Sequence, residues 1–280
     1  MTIEQFPITD MGPDLLAAMR EKLWTYSASV FGLGCNGPYY AGTATCLATA
    51  AQEYLLTAAH VWLALTGGRF ALSLESDRLL VPLRKDCVEP MTLHSRQDIE
   101  WGPNLALLKL PDRAARDIRQ VNAFYNVDKH AVDASPAPRY AVGVWGVIGA
   151  PAEQSQFAQR EAVLKITLFA SVVRSAQERD GFDSVDLSYY HEGRTELPSS
   201  YGGISGAGLW NLPVAKSETG AITWNGRATL EGVAFNQKAA SQTEGTIRCH
   251  GRKSVYGRYN MAPNQVLHPT PAAAIMSRRG

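Results

Sequence analysis

The chain has 280 residues, 45% of them apolar and 19% charged, with a formal net charge of +1. That length and apolar content support one large or two small globular domains with a sizeable core. A charge this close to balance excludes a strongly basic nucleic-acid binder and a protein held electrostatically to an anionic membrane.

The opening stretch, MTIEQFPITDMGPD, has neither a basic n-region nor an apolar h-region, so no secretory signal is expected. No apolar run reaches the roughly 18 residues of a membrane span. Cys35, Cys46, Cys87 and Cys249 form no Cys-x-x-Cys pair. This predicts reduced, mostly packed thiols, no zinc site and a cytoplasmic compartment.

In chain order, residues 9–24 read as a helix with Thr9 or Asp10 as its cap. Leu15, Leu16, Met19 and Leu23 fall on one face, ready to pack on the outside of the strands beyond it. Short strands come next: TYSASVFG (25–32), GTATCLATA (42–50), EYLLTAAH (53–60), RFALSLES (69–76), RLLVPLR (78–84) and NLALLKL (104–110). Turn sequences such as CNGP and TGG separate them. Many short strands at close spacing predict an all-β barrel or sandwich. Residues 113–137, weakly helical and then rich in Ser, Pro and Ala, read as a linker between two β units. Strands resume at RYAVGVWGVIGAP (139–151), EAVLKITLFASVVRS (161–175), SVDLSYYHE (184–192), SGAGLWNL (205–212) and TLEGVAFN (229–236). The Pro/Ala-rich tail has no apolar period and reads as disordered. The expected division is a helical extension over 1–24, one β unit over 25–112, the linker, a second unit over 138–256, and the tail over 257–280.

Three motifs carry chemistry. In LLTAAHVW (55–62) an apolar strand runs into small residues and then His60, leaving room for a neighbour to approach the ring. In GPNLALLKLP (102–111) Asn104 stands at the entrance of a buried strand, where it could reach the far side of a histidine ring and fix its tautomer. In SYGGISGAGLW (200–210) Ser205 lies in Gly-x-Ser-Gly. Glycines there let the backbone turn sharply, expose Oγ and aim N–H groups at one point, the geometry an oxyanion requires. Taken singly, the three read better as a packed or surface histidine, a turn and a glycine-rich loop. His94, His130, His191, His250 and His268 show no metal-ligand spacing and read as surface or capping residues. No metal and no cofactor are expected, since no phosphate-binding loop is present and GLGCNG (32–37) lacks a strand-to-helix context. Dispersed Arg and Lys argue against a nucleic-acid face.

Taken together, TAAH, then x-L-A-L-L-K-L, then G-x-S-G-x-x-L-W resemble the trypsin-like (chymotrypsin-fold) serine peptidases in their bacterial, disulfide-poor form. GTATCLATAAQEYLLTAAHVW (42–62) resembles their strand pair ahead of the histidine, and TLEGVAFN their strand after the serine. The likeness spans residues 25–256. It implies an all-β fold of two six-stranded antiparallel barrels with the site in the cleft between them, acting on a peptide or protein. His60 then matches the general base and Ser205 the nucleophile. Gly203 and Ser205 match the N–H donors for the oxyanion, and Ser199 the floor of the primary specificity pocket. Phe235, Asn236 and Gln237 match the strand that pairs with substrate backbone. Nothing in the likeness implies a membrane or a cofactor, and it leaves the oligomeric state open.

Several positions depart from that pattern. Asn104 replaces the usual acid, so His60 loses the charge that stabilises imidazolium. Asp98 and Glu100, six and four residues upstream, are candidates to restore it if their loop folds back. Ile204 replaces an acid that can anchor a newly cut N-terminus, so activation by such a cut is not expected. Ser199 puts no charge on the pocket floor, which argues against Lys or Arg specificity. Gln237 stands where glycine often leaves the pocket open, which predicts a shallow or narrowed site. Two functions fit: a serine endopeptidase, or a catalytically impaired protease-like module that binds peptides or a partner protein in the cleft.

Overall fold

A computed structural model describes residues 11–35, 37–74, 80–95, 100–130, 143–158, 161–190, 200–217, 219–239 and 244–257. The tail expected to be disordered therefore lies almost wholly outside the described residues, as do Thr9, Asp10, Asp98, His191, Ser199 and His268. The first helix, α1 (Pro13–Trp24), starts later than its apolar period predicts. Gly12 is its N-cap without a side-chain cap, and Pro13 opens it. A proline there loses nothing, because the first N–H groups of a helix have no partner within it, and its fixed φ suits the first turn. Met19 and Leu23 are fully buried on the expected face.

Strands β1 (Ser27–Gly34), β2 (Gly37–Ala48) and β3 (Glu53–Thr57) lead into a six-residue helix, α2 (Ala59–Ala64). Next come β4 (Arg69–Ser73), β5 (Leu80–Arg84), β6 (Glu89–His94) and β7 (Asn104–Lys109). They pair antiparallel in the order β5-β4-β1-β2-β3-β7-β6. Helices α3 (Asp112–Arg119) and α4 (Val127–His130) flank β8 (Tyr125–Asn126), which adds to β2 in parallel. Alternate residues of β5, at one end of this order, and of β7, next to the other end, meet in one apolar cluster. Val81 and Leu83 of β5 join Ala106 and Leu108 of β7, with Val30, Cys46, Leu55 and Phe70 between. A sheet whose distant strands share one interior has curled towards a barrel.

The second sheet begins with β9 (Val144–Gly149). The hairpin of β10 (Ser155–Ala158) and β11 (Glu161–Leu164) is next, then β12 (Thr167–Ser171), β13 (Val173–Arg179) and β14 (Phe182–Tyr190). Beyond the serine motif come β15 (Gly208–Leu212), the hairpin of β16 (Val214–Lys216) and β17 (Ile222–Trp224), and finally β18 (Thr229–Ala239) and β19 (Glu244–His250). Its main order is β12-β9-β15-β18-β19-β14-β13, antiparallel throughout. Among the described residues each main sheet has seven antiparallel strands, where the resemblance implies six per barrel. One cause is that the run 161–175 is not one strand. It divides into β11, β12 and the start of β13.

The two sheets meet back to back through the side chains that alternation sends outward. Leu105 and Leu107 of β7, Leu47 of β2 and Leu56 of β3 share a cluster with Val144, Ile148, Trp210 and Leu230 of the second sheet and with Met19 and Leu23 of α1. The Trp210 ring meets Tyr125 edge-on at 5.2 Å and stacks on Tyr26 at 5.5 Å. Burial on both faces explains why NLALLKL is apolar at nearly every position: one face fills the first barrel and the other the interface. The fold is all-β and chymotrypsin-like, and its interface places the three motifs on one groove.

Candidate active site

His60 lies in the first turn of α2, just past the end of β3. The alanines before it, Ala58 and Ala59, are fully buried. An N–H in a helix's first turn has no partner within the helix. The His60 N–H donates instead to Asn104 Oδ1 at 3.0 Å. Since a backbone N–H can only donate, the amide atom facing it must be the oxygen. That orientation turns the NH₂ towards the ring. Nδ2 lies 2.9 Å from His60 Nδ1, and Oδ1 lies 3.2 Å from the same nitrogen. Asn104 is thus both the cap of α2 and the partner of the imidazole, and it offers a donor at the shorter distance. Burial holds the His60 pKa below its ordinary 6.5. The Asn104 hydrogen bond works upwards against this, and nearby His94 works downwards.

Asn104 is itself held from the second barrel. Its own N–H donates to His250 Nε2 at 3.1 Å. His250 is not a surface or capping residue: it is 1% exposed and stacks on Phe235 with ring centroids 4.1 Å apart. Burial pushes its pKa down to about 4, the Asp183 backbone opposing this, so the ring stays neutral and Nε2 remains an acceptor. Two residues along β19, buried Arg248 forks onto Asp186 at 2.8 and 2.9 Å. Its guanidinium also lies 3.6 Å from the Trp101 ring centroid and donates to the Glu100 carbonyl at 3.1 Å. The segment leading into Asn104 is thereby fixed.

Glu100 does not supply the missing charge. Its carboxylate pairs with Lys238 at 2.9 Å and, more distantly, with Arg248 at 3.5 Å. Lys238 chiefly holds its pKa below the ordinary carboxylate range. Glu100 thus faces these cations rather than His60.

Around Ser205 the backbone hydrogen bonds form a pattern. The Gly202 carbonyl accepts from Ala152 N–H at 2.7 Å and the Ile204 carbonyl from Ala207 N–H at 2.9 Å. A trans peptide sets its N–H opposite its C=O, so the N–H groups of Gly203 and Ser205 point away from those partners. Neighbouring donors are spent: Gly202 N–H on Ser200 Oγ, Ile204 N–H on the Tyr201 carbonyl and Gly206 N–H on the Ala234 carbonyl. Among the described residues, the N–H groups of Gly203 and Ser205 have no acceptor.

The first barrel grips this loop. The hydroxyls of Tyr40 and Thr43 lie 2.9 and 3.1 Å from the Gly203 carbonyl, and Thr43 N–H donates to the Ser205 carbonyl at 2.9 Å. Gly203 has φ +93°, and a Cβ there would come within 2.6 Å of Tyr40 and 2.8 Å of Ala152 N. Gly206 has φ +91°, and its Cβ would meet the Thr43 carbonyl at 1.9 Å. Both positions are closed to side chains. Ile204, where an acid could stand, is 5% exposed within the second barrel's core.

His60, Asn104 and Ser205 line one pocket of about 550 Å³ with Tyr201, Phe235 and Gln237. No hydrogen bond joins the His60 ring to Ser205 among the described residues. Phe235 is 3% exposed and belongs to the core of the first barrel, and Asn236 Oδ1 takes the Gln237 N–H at 2.8 Å. His94, opposite Asn104 in the β6–β7 register, also lines the pocket. Sequence reasoning missed His94, Tyr40, Thr43 and His250 as neighbours of the site. The pairing that brings His94 opposite Asn104 depends on β6, a strand with no clear apolar alternation. A histidine followed by Gly251 gave no sign that His250 was interior.

No protein-family model matches the chain, and no curated protein matches it. A solved structure described as a thermostable serine protease, AL20, from an extremophilic microorganism is similar, with a TM-score of 0.50 and 15% identity. The match covers 85% of this chain and 97% of that one. At that identity the likeness shows the fold, which is protease-like.

Proposed function

We propose that this protein is a trypsin-like serine endopeptidase whose turnover is held down by Asn104. The observation that carries the reading is the pair of unspent N–H groups at Gly203 and Ser205, on a loop whose serine shares one pocket with His60. In this mechanism Ser205 Oγ attacks the scissile carbonyl and its proton passes to His60 Nε2. The oxygen that becomes negative is received by the Gly203 and Ser205 N–H groups. The C–N bond then breaks, Nε2–H protonates the departing amine, and water repeats the sequence on the acyl-serine.

Nε2 can take a proton only if the ring carries its hydrogen on Nδ1, with Asn104 Oδ1 accepting it at 3.2 Å. The competing contact, Nδ2–H to Nδ1 at 2.9 Å, leaves the hydrogen on Nε2 and blocks the transfer. Replacing the acid by an amide in a triad of this kind costs roughly 10⁴ in kcat, about 5 kcal/mol. The same contact favours a second reading, in which the cleft holds a peptide and does not cleave it. With Ile204 buried and the loop held by hydroxyls of the first barrel, the site assembles on folding without an N-terminal cut. No disulfide joins Cys35, Cys46, Cys87 and Cys249, which suits a reducing compartment, and we place the protein in the cytoplasm. Among the described residues no helix is long and apolar enough to cross a membrane.

A fluorophosphonate probe tests the two readings. Labelling of the wild type and not of Ser205→Ala is the expected result. No labelling at any pH at which the protein stays folded would leave the peptide-binding reading.

A further inference from the structure

A second cavity, of about 340 Å³, shares no lining residue with the pocket of His60 and Ser205. Lys22 of α1, Tyr26, His130 of α4 and Asn211 of β15 line it, together with Arg227 from the turn between β17 and β18. It thus joins the N-terminal helix, the connection between the barrels and the second barrel. Its walls are held by rings: Tyr26 stacks on Trp210 at 5.5 Å and His130 on Tyr125 at 4.5 Å. The turn is held too. The Arg227 N–H donates to Asn225 Oδ1 at 3.0 Å, and its carbonyl accepts from Trp224 Nε1 at 2.7 Å. Among the described residues neither the Lys22 ammonium nor the Arg227 guanidinium pairs with a carboxylate; the Lys22 Nζ lies 5.3 Å from the Tyr26 ring centroid. The carboxylate among the described lining residues, Glu231, is held by Arg252 at 3.0 Å. Two cations that share a cavity, with its carboxylate already neutralised, attract an anion. The cationic surface at Arg69, Arg84 and Lys85 differs. There Arg84 pairs with Asp86, and the Lys85 ammonium donates to the carbonyls of Trp62 and Leu65 at 3.1 and 2.7 Å.

Independently of the serine-peptidase reading, we propose that this cavity binds a small phosphomonoester with a hydroxyl-bearing body, of the size of a sugar phosphate or a nucleoside monophosphate. The phosphate sits between Lys22 and Arg227. A guanidinium fork matches two phosphate oxygens, and an ammonium serves as a point charge for a third. A dianion answers two cations better than a single carboxylate does. The cavity, about 340 Å³ against roughly 30 Å³ for a water in the liquid, has room for a body beyond the phosphate. Asn211, Thr229 and Glu231 give that body a polar wall suited to hydroxyl groups. Because the ligand contacts α1 and the second barrel at once, its binding stabilises the folded chain.

Calorimetric titration and thermal unfolding of the full chain test this with ribose 5-phosphate, adenosine 5′-monophosphate and inorganic phosphate, and with ribose and adenosine as uncharged controls. At least one of the two esters should bind and raise Tm, and the uncharged compounds should do neither. Lys22 and Arg227 are both exposed, so Lys22→Gln and Arg227→Gln should leave the Tm of the unliganded protein in place. Each should weaken ester binding at least roughly tenfold, the loss of one charge-assisted contact. Arg84→Gln, on the other cationic surface, should leave the affinity unchanged. No binding of either ester, or binding that neither Lys22→Gln nor Arg227→Gln weakens, would overturn the proposal. An equal loss with Arg84→Gln would overturn it as well, since the attraction would then be one of overall charge. Inorganic phosphate binding as tightly as the esters would assign the cavity to the free ion and overturn the ester. None of these readouts uses Ser205, so the serine reading stands or falls separately.

Discussion

At the Ser205 loop the carbonyls of Gly202, Gly203 and Ile204 each have a donor, and among the described residues the N–H groups of Gly203 and Ser205 have no acceptor. At the His60 corner, by contrast, the amide of Asn104 brings a donor to 2.9 Å and an acceptor to 3.2 Å of the same ring nitrogen. Both regions are anchored across the barrel interface, the loop by Tyr40 and Thr43, the corner by His250. They differ in chemistry. On the proposed reading the loop would receive the charge of a transition state, while the corner would hold a neutral amide where that reading calls for a carboxylate. On that reading shape and charge are separable in this fold, and the second is what the corner lacks.

The largest test of that contrast is Asn104→Asp. A carboxylate in the same place would take the His60 N–H with one oxygen and the Nδ1–H with the other, fixing the productive tautomer. The rate of ester or peptide hydrolysis should rise by roughly 10³–10⁴. The wild-type pH profile should have its rising limb below 6.5, because the base must be neutral and burial lowers its pKa. In the variant the limb should move upwards, since a negative neighbour stabilises imidazolium. A gain under about tenfold would mean that the corner is limited by something other than charge.

The loop should break next. Gly203→Ala forces a methyl to within 2.6 Å of Tyr40 and displaces the peptide that carries one donor. The loss expected is that of one oxyanion donor, roughly 10²–10³ in kcat, read on Asn104→Asp so that the rate is measurable. His250→Leu tests the corner's anchor. It leaves the Asn104 N–H buried without an acceptor, which costs about 1–3 kcal/mol, or roughly 5- to 150-fold if it is felt in the rate. His250→Gln, which retains an acceptor, should recover part of it, and a purely structural role would not show that recovery. His250 also predicts a pH effect on stability. Its folded pKa of about 4 lies below the unfolded 6.5, so the unfolded chain binds more protons between these values. Stability should therefore fall as pH drops from 6.5 towards 4, by about 3 kcal/mol, and His250→Gln should flatten that slope in denaturant titrations.

How much of this was legible in the residues depends on which patterns were local. NLALLKL, LLTAAHVW and the glycines around Ser205 announced themselves because burial on two faces, small neighbours and positive φ each leave a compositional mark. β19 left none. Glu244–His250 is buried over six of its seven residues yet contains Arg248 and His250, whose burial makes sense only with Asp186, Trp101 and Asn104 supplied from distant segments. β6 was missed because its side chains are exposed or half-buried and one of them is proline. The tight turn at Asp180–Gly181, both with positive φ and joining Arg179 to Phe182, was a readable Asp-Gly signal that a search for apolar runs passes over. The fate of Glu100 could not be read at all. Whether a loop carboxylate turns to a histidine or to Lys238 and Arg248 is decided by charges more than 130 residues away in the chain.

The smallest effect separates grip from geometry at the loop. Tyr40 donates to the Gly203 carbonyl from the opposite barrel, and burial raises its pKa to about 12, so the hydroxyl keeps its proton across the working range. Tyr40→Phe removes that one bond and almost no volume. A single neutral hydrogen bond contributes about 1 kcal/mol net, which is about fivefold in rate. Thr43 Oγ1, still 3.1 Å from the same carbonyl, limits the loss further. At most about a fivefold fall in Ser205 labelling is therefore expected for Tyr40→Phe alone. A greater than additive fall should appear when Thr43→Val is combined with it, because the second hydroxyl is then no longer there to hold the peptide. Strict additivity would mean that the two hydroxyls act independently and that the loop keeps its shape from Gly203 and Gly206 without help from the first barrel.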